Sequence, residues 1–195
     1  MSTSPSHVAG KVRSLPGDLA MWFFILAELT VFAMLILAFA VTQLLSPELF
    51  RESRAALDSS TGLALTLSLL TAGLFAALAV EQVRHEQLRR GMLLLWAALL
   101  TSCVYVLLKL GEFMHLAGLG LGIEHNTFFT LYWILTGFHF LHVLLGMLIL
   151  GWMAERCRRG AYRAGNRSGL ESGVLYWHMV DMVWVLLFPL VYVIN

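Results

Sequence analysis

Five apolar runs constrain this chain more than any other feature: Leu19 to Leu45, Thr61 to Val83, Met92 to Met114, Phe128 to Met153 and Val174 to Ile194. Each comes close to or exceeds the roughly 20 residues that a helix needs to cross a hydrocarbon core of about 30 Å. Backbone exposed to lipid has no water to bond and must satisfy its own N–H and C=O groups. Helix does this within a single run, so the pattern predicts an all-α integral membrane bundle of five transmembrane helices. Composition agrees: 59% of residues are hydrophobic and 13% charged, where a soluble domain carries about a quarter of its residues as charges. The connections hold turn and polar residues, at Ser46–Pro47–Glu48, Arg84–His85–Glu86, Gly118 to Gly122 and Arg156 to Gly169. None is long enough for a separate soluble domain and no repeat is evident, so residues 1–195 read as one membrane domain.

The basic residues give the spans a direction. Lys11 and Arg13 precede the first span, Arg84, Arg89 and Arg90 follow the second, and Arg156, Arg158, Arg159, Arg163 and Arg167 follow the fourth. With five crossings these segments share one side, and only Arg51 and Arg54 fall on the other. Such a bias predicts a cytoplasmic N-terminus and an outward-facing, periplasmic C-terminus. Topology accounts for the arginines, and a net charge of +1 argues against nucleic acid as a partner. Cys103 and Cys157 lie within one span and just past another, which is no disulfide framework. The first apolar run is too long for a cleaved leader.

Ionisable side chains inside spans cost about 2.5–3.5 kcal/mol each near a helix centre, so they demand partners. Glu28, Lys109, Glu112 and Asp181 are such residues, and His139, His142 and His178 lie within spans as well. Counted at 1.5 Å per residue from the expected cytoplasmic ends, Glu28 lies roughly 14 Å deep, His178 and Asp181 roughly 6–11 Å, and His142 and His139 roughly 17–21 Å. The simplest expectation is one buried carboxylate–imidazole network of Glu28, His139, His142, His178 and Asp181 joining three helices. Lys109, Glu112 and His115 recur at spacing three and form an outer-face stripe, in which Lys109 and Glu112 are expected to neutralise each other and snorkel toward water. In the second span Ser60, Ala64, Ser68, Ala72 and Ala76 recur every fourth residue, a helix-packing face of small side chains.

Three readings fit this polar layer. Histidines can ligate haem or a metal, but Phe138, Phe140, Trp177 and Trp184 crowd the same region and no metal is expected. An independent proton or ion relay is chemically sensible, yet the spans lack the interrupted helices of many transporters. A polar network that fixes helix register and serves a partner needs neither addition.

The residues that carry a family resemblance are these. The fourth span holds Thr136–Gly137–Phe138–His139, His142–Val143 and Gly146, and the fifth holds Tyr176–Trp177–His178, Asp181 and Trp184. The first holds Phe23 through Glu28, and the third ends on Glu112–Phe113. In this order they resemble subunit III of the haem-copper cytochrome and quinol oxidases, in its five-helix form, from about Pro16 to the C-terminus. The opening Pro16–Gly17–Asp18–Leu19–Ala20–Met21–Trp22 is most similar to the NorE-type members associated with nitric oxide reductase.

The resemblance implies a non-catalytic accessory subunit of a nitric oxide reductase or terminal oxidase in a bacterial inner membrane. It carries no haem or copper, has a catalytic haem-copper subunit as partner, and supports assembly, stability or proton uptake. Membrane lipid is the other partner, with bound phospholipid as the one ligand. Glu28 matches the family's buried glutamate, and His139, His142, His178 and Asp181 its intramembrane motifs. Phe24 falls beside the family's lipid cleft and Arg156 near a lipid headgroup. Phe140 stands where a glycine is usual, and Lys109 where a glutamine is usual.

Overall fold

The computed structural model describes residues 19–160, 162 and 168–194, and over these it contains helices and no strand. Lys11, Arg13, Arg163 and Arg167 of the charge count lie outside the described residues, as does the Pro16–Gly17–Asp18 opening. The elements run α1 (Leu19–Leu45), α2 (Pro47–Arg54), α3 (Ser59–Arg84), α4 (Leu88–Gly118), α5 (Thr127–Arg158) and α6 (Ser168–Phe188). A π-helical end, Pro189–Val193, completes the last span. Five of these helices are long and apolar enough to cross a membrane. Three of them outrun the hydrophobic runs by several residues, because helical bonding continues past the apolar stretch into polar ends.

Where the sequence pattern predicts a connection at Ser46–Pro47–Glu48, the structure has the short helix α2. Pro47 occupies its first turn, where the missing N–H would have had no intrahelical acceptor in any case. One face then buries Phe50, Ser53 and Arg54. Asp58 opens α3 by accepting from the N–H groups of Ser60 and Thr61. The hydroxyls of the same two residues also donate to it and are the main pull that brings its carboxyl down to about 2.

Packing follows from side-chain size. On α1, Ile25, Phe32 and Phe39 are buried; spaced seven apart, they make one narrow ridge. Leu26, Leu37, Leu67, Leu100 and Leu148 are all more than half exposed, so the outer surface is apolar where lipid would meet it. The small-residue face of α3 turns inward, with Ser68, Ala72 and Ala76 buried and Ala64 half-buried. Helix α3 packs most extensively on α4 and next on α6. Gly73 brings α3 against α6 so closely that a Cβ there would overlap Asp181 Oδ2. Gly146 does the same for α5 and α6, since its Cβ would lie 2.8 Å from the Trp177 ring.

The end of the last span is held from outside. Pro189 offers no N–H and crowds the preceding turn, and the backbone loosens until Ile194 N–H donates to Pro189 O at 2.8 Å. Arg54 donates to the carbonyls of Val191 (2.9 Å) and Leu190 (3.2 Å). Ser59 donates to Tyr192 O and the Gln43 amide to Ile194 O. Helix ends leave carbonyls without intrahelical donors, and three other elements supply them here.

Candidate functional site: paired polar groups inside the bundle

The five residues expected to form one network separate into two pairs and a lone ring. Glu28 on α1 and His142 on α5 meet at 3.0 Å between Oε2 and Nε2. The other ring nitrogen of His142, Nδ1, lies 2.8 Å from the carbonyl of Phe138. A carbonyl only accepts, so Nδ1 carries a hydrogen and Nε2 faces Glu28. One proton is then shared between Nε2 and the carboxyl, and the pair is net neutral whichever atom holds it. Phe32 lies edge-on to the His142 ring at 5.1 Å, and Phe138 is also edge-on at 4.5 Å.

His178 and Asp181 form the second pair on α6, with Nδ1 3.1 Å from Oδ2. Helix α6 includes Ser168 to Gly173, so the helix extends beyond the apolar run on its arginine-rich side. Asp181 is buried, and the missing side chain of Gly73 makes room for it.

His139 joins neither pair. It is fully buried, and neither ring nitrogen has a hydrogen-bond partner among the described residues. Trp184 lies 5.1 Å from its ring, and Phe32 and Tyr105 lie edge-on at 6.1 and 6.3 Å. The Tyr105 hydroxyl is also buried without a partner. His139 and His142 share a helix face in the loose sense, but three residues leave them about 60° apart around the axis. That rotation sends one ring to α1 and the other into the core. Replacing an unsatisfied polar ring by an apolar one of similar shape is near neutral or stabilising. His139→Phe is therefore expected to leave the unfolding temperature in mild detergent unchanged or higher. A fall of more than about 4 °C, on the order of 1 kcal/mol or more, would show that His139 has a partner after all.

The outer stripe also differs from expectation. Lys109 does not snorkel; its side chain is 0% exposed. Its Nζ donates to Glu112 Oε2 at 2.8 Å, Tyr132 Oη at 3.1 Å and Tyr192 Oη at 3.0 Å, which uses all three of its hydrogens. The Tyr192 hydroxyl donates in turn to Glu112 Oε1 at 2.7 Å. Rings of Phe113, Tyr132, Trp184 and Tyr192 stand 4.8–5.7 Å from the ammonium, within the range of cation–π attraction. His115 is exposed and shares a cavity of about 420 Å3 with Glu112, Asp58 and Thr61. Sequence reasoning named Lys109 and Glu112 but missed Tyr132 and Tyr192 as their partners. The demand for partners inside lipid was the available signal.

Phe24 and Arg156 stand in separate surroundings. Phe24 stacks on Tyr176 at 6.0 Å, and Tyr176 donates to His142 O at 3.3 Å. Arg156 lies over Trp152 at 4.8 Å and Tyr162 at 5.9 Å. With Trp152, Glu155 and Arg159 it lines a cavity of about 490 Å3. Among the described residues, no group of three or more His, Cys, Asp or Glu side chains is placed to hold a metal ion.

A 37% identity over 86 residues relates the chain to "Cytochrome c oxidase subunit 3" of Thermostichus vulcanus, covering 44% of this chain and 43% of the relative. The same description applies to a Synechocystis protein, 36% identical over 49% of this chain and 41% of the relative. The chain thus spans about two fifths of these two relatives. "Probable quinol oxidase subunit 3" of Staphylococcus aureus is 28% identical, over 91% of this chain and 88% of the relative. Residues 15–195 match the family model described as cytochrome c oxidase subunit III, and with five membrane-length helices the chain is a multi-pass membrane protein belonging to that family.

Proposed function

We propose that this chain is a non-catalytic subunit III of a bacterial haem-copper respiratory complex, lending stability and a docking surface to a catalytic partner. The family match across nearly the whole chain carries the reading. The site chemistry supports it. Both ring nitrogens of His142 are engaged, one nitrogen of His178 is engaged, and His139 is walled in by rings. An axial ligand needs a free imidazole nitrogen facing open space, and these three do not offer a matched pair. On this reading the paired polar groups are structural, and the subunit works without haem, copper or another metal of its own. Its membrane is the bacterial inner membrane, with the N-terminus and arginine-rich loops in the cytoplasm as the charge bias indicates. Phospholipid is its one bound ligand, with Phe24 and Arg156 as candidate contacts.

Near-complete coverage of the quinol oxidase relative favours an oxidase core as partner. Nitric oxide reductase is the second reading, favoured by the Pro16 to Trp22 opening. Purification of the tagged chain from its native membrane in mild detergent tests both. A haem-bearing oxidase core in the eluate supports the first reading, and a nitric oxide reductase core the second. A chain that elutes alone with a stoichiometric Soret band would overturn the cofactor-free assignment.

A further inference from the structure

We draw no further inference here: the strongest candidate, the cavity of about 490 Å3 walled by Arg156 and Arg159 that meets the apolar α4–α5 groove at Trp152, has the chemistry of a phospholipid site and so restates the lipid contact already assigned to Arg156 and an established property of the family.

Discussion

Lys109→Met is expected to destabilise the bundle by about 3–5 kcal/mol, the range for removing one partner of a buried ion pair. The substitution preserves length and volume while deleting the ammonium. Glu112 then keeps only the Tyr192 hydroxyl among its present donors. The four rings around Nζ lose the charge they face. For a chain of this size the loss corresponds to a fall in unfolding temperature of roughly 6–20 °C, measurable by thermal denaturation in mild detergent. Adding Glu112→Leu removes the stranded carboxylate and should restore most of it, since apolar replacement of a whole buried pair is often neutral or better. A single variant as stable as the parent would mean that Lys109 and Glu112 are not a buried pair.

The contrast between Lys109 and the expected snorkelling lysine shows where sequence reading reaches its limit. Membrane spans are legible because lipid leaves the backbone one option, and α1 ends where its apolar run does. The start of a helix is less legible than its apolar middle: in α6 the stretch Ser168 to Gly173, which holds Glu171, two serines and two glycines, continues the helix beyond the apolar run. Rotation about the helix axis is the quantity that spacing alone does not supply. It decides that His142 meets Glu28 while His139 faces Trp184. It also decides that Lys109 turns into the core between Tyr132 and Tyr192 rather than toward the bundle end. Helix α2 was hidden for another reason. One buried apolar residue, Phe50, beside buried Ser53 and Arg54 on an eight-residue helix is too short a pattern to stand out from a polar connection.

Arg54 is the other residue whose importance lies in its placement, and Arg54→Met should cost about 3 kcal/mol, from two charge-assisted bonds of about 1.5–3 kcal/mol each that are only partly additive. Arg51, three residues earlier, is the natural control. It pairs with Glu48 at the surface, with both side chains more than half exposed, and its removal should cost no more than about 1 kcal/mol. The loss at Arg54 should be local. The carbonyls of Leu190 and Val191 lose their donor, so amide exchange across residues 190–194 should accelerate while the middle of α3 stays protected. The effect should reach Lys109, because the segment Arg54 holds also carries Tyr192, whose hydroxyl bonds both Lys109 and Glu112. Arg54→Met and Lys109→Met combined should thus destabilise by less than their separate effects added, with a coupling of about 0.5 kcal/mol or more. Strict additivity would show that the clasp on the last turn and the buried ion pair are independent. Uniform acceleration of exchange along the whole chain would show that Arg54 supports the bundle globally rather than its final turn.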